Sequence, residues 1–269
     1  MGSFTPRIRT ALVAVPLLIL LIQKGPAWLF LSVVLAFALT GYWELARVAA
    51  KIGWKPLGVG YLLVALLVTA FYPGFPSFEE VGVALVVLVG IEAVFFRGPG
   101  RDTLGGLAMT VLGALYLGSL LGTIVALRVV EPEATGRFWI VFLLAVVMVG
   151  DAGAFFVGKL AGKHPLAPVL SPKKTVEGFL GGVAFSVATA LGLRSFLFPR
   201  LDLSTALGLG LSMALLGVVG DLFESFLKRS AGLKDTSTLI PGHGGVLDRI
   251  DSLLFAAPFL YLYVKWAGP

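Results

Sequence analysis

A chain of 269 residues with mean hydropathy +0.96, 58% hydrophobic and only 13% charged residues, has no single soluble core to bury. Such a composition places it among polytopic membrane proteins. The absence of cysteine excludes disulfides, thiol catalysis and cysteine-ligated metals, and the net charge of +6 comes without any basic run or soluble module that would argue for nucleic acid.

Arg7 and Arg9 precede an apolar run over 11–22 in the manner of a signal peptide. No small-residue cleavage site follows and a second apolar run begins at once, so a retained first span is expected. Apolar windows fall at 10–23, 27–50, 57–72, 81–96, 104–129, 138–160, 176–198, 203–224 and 252–267. They predict about nine transmembrane helices. Eight is the next count, because the first, third, fourth and ninth windows are short of the roughly 20 residues that cross a bilayer upright. Continuous apolar runs favour helices over a barrel. The expected fold is therefore an all-α polytopic membrane protein. It forms a single integral membrane domain over 1–269, with N-terminal spans in 1–140 and catalytic spans and loops in 141–269. Gly113, Gly118 and Gly122 read as sites of close helix approach. With nine spans and the N-terminus inside, fifteen of the 21 lysines and arginines fall on inner segments and six on outer ones. That bias puts the charged loops 159–175 and 225–251 on the cytoplasmic side.

The first carboxylate of interest is Asp151, inside an apolar window, where it needs a partner or a water-filled cavity. It is either a buried polar contact with another helix or a site residue. Next, Ser171 before Pro172 reads as an N-cap with proline at the first helical position. Lys173 and Lys174 just beyond are either ordinary inner-loop positive charge or, since cations suit that end of a helix dipole poorly, a place to which a phosphate is brought.

The stretch 221–251 concentrates five of the fifteen acids, Asp221, Glu224, Asp235, Asp248 and Asp251, with Lys228, Arg229, Lys234 and Arg249 interleaved. Asp221, Glu224, Ser225 and Lys228 are spaced to share one helix face. Asp248 and Asp251 share another if a helix has begun by then. Asp221, Asp248 and Asp251 together would be hard oxygen ligands suited to Mg²⁺, which usually takes one or two carboxylates plus phosphates and water. Between them, Pro241-Gly242-His243-Gly244-Gly245 is a turn whose glycines let backbone approach a ligand closely. His243 there is either a structural hydrogen-bonding residue or part of the site. Two classes fit a phosphate-and-metal site at the bilayer edge: a lipid-modifying phosphoryl or nucleotidyl transferase, and an ion-coupled transporter. A transporter favours carboxylates near mid-bilayer on paired broken helices with a repeat. The asymmetric C-terminal cluster favours the enzyme.

The run Ser225-x2-Lys228-Arg229-x4-Lys234-Asp235-x5-Pro241-x-His243-Gly244-Gly245-x2-Asp248-Arg249-x-Asp251 resembles the signature of phosphatidate cytidylyltransferases, or CDP-diacylglycerol synthases. The upstream run Ser171-Pro172-Lys173-Lys174-Thr175-x-Glu177-Gly178 is similar to the same family, as is Asp151 followed by Gly158 and Gly162-Lys163. The resemblance covers roughly 150–255. Val176 stands where the family pattern has tryptophan, and Lys159 where arginine is common.

The resemblance implies CTP + phosphatidic acid → CDP-diacylglycerol + pyrophosphate, with Mg²⁺, with or without a second cation, and a homodimer in the cell's inner (plasma) membrane facing the cytoplasm. It implies Asp221, Asp248, Asp251 and Asp151 as metal ligands, with Ser225, Lys228 and Arg229 beside them in the catalytic group. Ser171, Lys173, Lys174, Thr175, Glu177, Lys234, Asp235, His243, Gly244, Gly245 and Arg249 would bind substrate. The alternative is a related CTP-dependent enzyme on another lipid, a polyprenol kinase or an ether-lipid cytidylyltransferase. An ion-coupled transporter is the more distant one.

Overall fold

The computed structural model describes residues 16–237, 239 and 244–267. Over these residues every apolar window falls on helix. Helix α1 is described from 16 to 24. It is followed by α2 (Ala27–Lys51), α3 (Val59–Thr69) and α4 (Phe78–Phe96). Next, α5 (Arg101–Gly113), a π-helical segment (Ala114–Ser119) and α6 (Leu120–Arg128) run on without a break. The C-terminal half holds α7 (Glu133–Ala161), α8 (Val176–Leu197), α9 (Leu203–Ser230) and α10 (Leu247–Ala267). Between α7 and α8 lies a short antiparallel hairpin of β1 (Pro165–Ala167) and β2 (Ser171–Thr175).

Among the described residues six helices are long and apolar enough to cross a membrane: α2, the continuous α5–α6 rod, α7, α8, α9 and α10. The chain is a helical, polytopic integral membrane protein. The third and fourth windows are helical but fall outside the six for different reasons. Helix α3 has 11 residues, a length of ~16 Å against the ~30 Å of a hydrocarbon core. Helix α4 has 19 residues but includes Glu79, Glu80 and Glu92. Its start is a capping box: the Ser77 hydroxyl accepts from Glu80 N–H at 3.3 Å and the Glu80 carboxylate accepts from Ser77 N–H at 2.6 Å.

The expected N-cap at Ser171 is corrected. Ser171–Thr175 is extended and pairs with β1, Pro165 opposite Thr175 and Ala167 opposite Ser171. The cap of α8 is Thr175, whose hydroxyl accepts from Gly178 N–H at 3.1 Å. The chain stays extended through the two lysines because β1 offers partners there and the start of α8 repels cations. Glu177 takes the first helical turn instead.

The chain divides into two compact units. One takes Met1–Val129 and Ser230–Arg249, the other Val130–Arg229 and Ile250–Pro269. In the first unit small residues bring helices close: Gly41 lies against Leu117, Gly113 against Tyr42 and Leu45, and Gly118 against Leu67. The Tyr42 hydroxyl donates to the Leu57 carbonyl at 3.1 Å, and Leu57 N–H donates to the Thr110 hydroxyl at 2.7 Å. In the second unit α7 packs along α8 through Gly150, Gly153, Gly178 and Gly182. The Ser186 hydroxyl donates across that seam to the Val146 carbonyl at 3.0 Å.

At the other end of that seam Trp139 is fully buried. It stacks on Phe198 at 4.0 Å between ring centres and meets Phe142 and Tyr263 edge-on. Trp139→Ala is therefore expected to cost about 3–5 kcal/mol, with Trp139→Phe losing less. Thermal unfolding of the purified protein in detergent checks this, and an unchanged midpoint for the alanine variant would remove Trp139 from the core.

Candidate active site

The second unit gathers charge from four elements. Lys174, at the end of β2, forms an ion pair with Asp221 of α9, Nζ to Oδ2 at 2.5 Å. Asp251 of α10 lies within electrostatic reach of Asp221, of Asp151 on α7, and of Lys174. Helices α9 and α10 come together here because Gly220 has no side chain: a Cβ there would collide with the Asp251 carbonyl oxygen. The glycine beside Asp221 thus sets the two carboxylate-bearing turns next to each other.

Asp251 thus has two other carboxyl groups and one ammonium within electrostatic reach. Among the described residues no three acidic or histidine side chains close up into a ready-made metal cage. Mg²⁺ rarely needs one, since it binds through one or two carboxylates plus phosphate oxygens and water. Asp221, Asp251 and Asp151 are oxygen donors of the kind a hard divalent cation takes.

The shared face expected on α9 is present, but its members do different things. Glu224 is fully buried and forms an ion pair with Lys228 one turn on, itself 9% exposed. Lys228 is thus already matched by a carboxylate of its own helix. Ser225 is buried beside them. The Arg229 Nε donates to the Leu170 carbonyl at 3.2 Å, which ties α9 to the turn of the hairpin. Glu177 accepts from Lys163 N–H at 2.9 Å and His164 N–H at 3.2 Å, with His164 Nδ1 at 2.5 Å, and so holds the strand entry in place. Lys173 is exposed.

The remaining expected residues belong to the first unit. Asp248 Oδ2 accepts from Gly245 N–H at 2.8 Å and from the Thr236 hydroxyl at 2.9 Å. Gly244 has φ +79°, the left-handed region that favours glycine. Gly244 and Gly245 lie close to acids of the protein itself. A Cβ at Gly244 would lie 3.0 Å from Asp248 Oδ2, and one at Gly245 would strike Thr236 and Glu44. Lys234, Asp235 and Arg249 are exposed. Pro241, Gly242 and His243 lie outside the described residues.

The Cytidylyltransferase family profile matches residues 5–267, nearly the whole chain. The chain belongs to the cytidylyltransferase family. A Staphylococcus aureus (strain COL) protein named phosphatidate cytidylyltransferase is 42% identical over 130 residues, 48% of this chain and 50% of that protein. Proteins of the same name from Staphylococcus epidermidis and Staphylococcus saprophyticus are 41% and 43% identical over 130 residues, with the same coverage. The chain spans about half the length of the curated relatives it matches.

One residue of this cytidylyltransferase-family chain was missed in sequence. Glu44, on α2, is fully buried and accepts hydrogen bonds from the 236–247 stretch. The available signal was that Glu44 is the first acid in the chain and stands alone in its apolar window.

The Lys174–Asp221 pair is checked directly because the chain has no cysteine of its own. The double variant Lys174→Cys with Asp221→Cys is expected to accept a short bis-maleimide cross-link within one chain, read by mass spectrometry of the digest. Modification of both cysteines without a cross-linked peptide would show that β2 and α9 are not adjacent.

Proposed function

We propose that this protein is a membrane-embedded nucleotidyltransferase that makes CDP-diacylglycerol and pyrophosphate from CTP and phosphatidic acid. The observation that carries the reading is the Lys174–Asp221 pair with Asp251 and Asp151 around it, in a chain of the cytidylyltransferase family whose relatives bear the name phosphatidate cytidylyltransferase.

An oxygen of the lipid phosphate attacks the α-phosphorus of CTP. The bond from that phosphorus to the bridging oxygen breaks, and pyrophosphate leaves with the electron pair. No general base is required, because a phosphate oxygen is already anionic at neutral pH. The work is positioning and charge neutralisation. Asp221, Asp251 and Asp151 would hold Mg²⁺, and Asp248, whose carboxylate is oriented by Thr236 and Gly245, is a further proposed metal ligand. When bound, the metal neutralises charge on the transferring phosphoryl oxygens.

Lys174, now paired with Asp221, has a charge it can share with an incoming phosphate, and Lys173 stands exposed beside it. Lys228 acts with its charge offset by Glu224, so it contributes donors more than net charge. Arg229 fixes the hairpin that carries the two lysines, and Thr175 and Glu177 fix its exit and entry. Ser171, Ser225, Lys234, Asp235, His243, Gly244, Gly245 and Arg249 complete the substrate-binding set. The finer reading of the architecture has nine spans, the N-terminus inside, and a homodimer in the inner membrane with the site facing the cytoplasm. The fifteen-to-six distribution of lysines and arginines supports that orientation.

Purified protein given labelled CTP, Mg²⁺ and phosphatidic acid should form a nucleotide-bearing lipid, and no such product would overturn the assignment. Asp221→Asn and Asp248→Asn should each abolish turnover, with the double variant no worse than either, as expected of residues acting as one unit. Near-normal activity of the Asp221 variant would recentre the site. A reporter fused at Lys234 should read as cytoplasmic; an external signal there would reverse the topology and separate the site from CTP.

A further inference from the structure

In the first unit the Glu44 carboxylate meets donors from two segments far along the chain. Its Oε1 accepts from the Ser237 hydroxyl at 2.5 Å and from Val246 N–H at 2.9 Å. Its Oε2 accepts from Leu247 N–H at 2.7 Å, with the Thr236 hydroxyl at 3.3 Å. Val246 and Leu247 supply amides at the start of α10, which have no partner inside their own helix. A buried carboxylate is costly unless donors surround it, and here they do.

The same donors reach Asp248. The Thr236 hydroxyl has one hydrogen and lies nearer to Asp248 Oδ2, at 2.9 Å, than to Glu44. Gly245, next to the Val246 amide held by Glu44, donates its own N–H to Asp248 Oδ2 at 2.8 Å. Gly245 has no room for a side chain, because a Cβ would strike both Thr236 and Glu44. Two stretches of loop are thus closed around Glu44, and the groups that orient Asp248 are parts of them.

We propose that Glu44 is a positioning residue: it holds the 236–237 and 245–247 segments together and so fixes the direction of the Asp248 carboxylate. The proposal rests on the reading of Asp248 as a metal ligand. Glutamine at position 44 would keep the size, but its amide nitrogen would face an N–H donor where an acceptor is required. Partners that orient a metal ligand typically contribute about 10–100-fold to metal affinity.

The test uses the full chain in lipid nanodiscs with Mn²⁺ as probe, free ion being read by electron paramagnetic resonance. Amide hydrogen exchange over 244–248 is measured in parallel. Glu44→Gln should weaken Mn²⁺ binding about 10–100-fold and speed exchange at Val246 and Leu247. Glu44→Asp, which keeps both acceptors, should fall between it and the parent. Ser237→Ala, whose lost hydroxyl donates to Glu44 and not to Asp248, should weaken binding by a smaller factor in the same direction. It carries the test if Glu44→Gln does not fold. Asp248→Asn is the reference. If it weakens Mn²⁺ binding while Glu44→Gln, or Ser237→Ala in its place, leaves affinity and exchange unchanged, the proposal is overturned and Asp248 keeps its role. If Asp248→Asn itself binds Mn²⁺ as the parent does, the metal reading of Asp248 fails first and the proposal with it.

Discussion

A helix that begins in an apolar surround has backbone N–H groups with no partner inside the helix, and hydrocarbon supplies none. Glutamates solve this problem repeatedly in this chain. Glu92 accepts from Gly58 and Val59 N–H, at 2.9 and 2.7 Å, where α3 begins. Glu44 does the same for Val246 and Leu247 at the start of α10. Glu177 accepts from Lys163 and His164 at the entry to the hairpin. Glu92 and Glu44 each satisfy two helix-start amides and join segments distant along the chain, whereas Glu177 binds two amides of a hairpin entry 13–14 residues before it. The charge is tolerated because the donors come as a set.

These contacts show which acids are taken up within the protein itself. The glutamates at 44, 92 and 177 are occupied by backbone, and Glu224 by Lys228. Asp221 pairs with Lys174, and Asp251 lies within electrostatic reach of Asp221, Asp151 and Lys174. A buried pair such as Glu224–Lys228 adds little to stability over a well-packed apolar pair, but removing one partner would strand the other. Its consequence for the site is that the Lys228 charge is already offset, so in the proposed function phosphate attraction would fall mainly to the hairpin lysines. The hairpin is in turn held by Arg229 from α9 and by Glu177 from α8.

Much of this was legible in sequence where it depended on composition. Long apolar windows became helices, and the crowding of acids after Asp221 marked the C-terminal charge cluster. Local reading failed where a tertiary partner decided. Ser171-Pro172 has the chemistry of a helix start, yet β1 supplied a strand partner and the cap moved to Thr175. The glycines at 244 and 245 lie close to Asp248, Thr236 and Glu44, contacts that the local sequence could not reveal. Glu44 itself could not be assigned, because its partners lie about two hundred residues away. Windows such as 57–72 overstated the helix, since apolar residues continue past Thr69 into the turn that follows.

In the proposed reaction a lipid phosphate meets a soluble nucleotide, and the positions of the second unit's carboxylates along their helices are compatible with that. Helix α9 begins at Leu203, so Asp221 stands ~27 Å along it at 1.5 Å per residue, close to the far edge of a hydrocarbon core of ~30 Å. Counted back from Ala267, the end of α10, Asp251 stands ~24 Å along. Asp151 is ~20 Å beyond Phe138, where the apolar part of α7 begins, and is therefore the deepest of the three. A phospholipid carries its phosphate at the edge of the hydrocarbon, and a nucleotide triphosphate stays in water, so the two reacting groups meet within a few ångströms of that boundary. Carboxylates at mid-bilayer would have to draw both inward against a large desolvation cost. Near the boundary, under the proposed function, they would need only to order phosphates already there, while Lys174 beside Asp221 matches part of their charge.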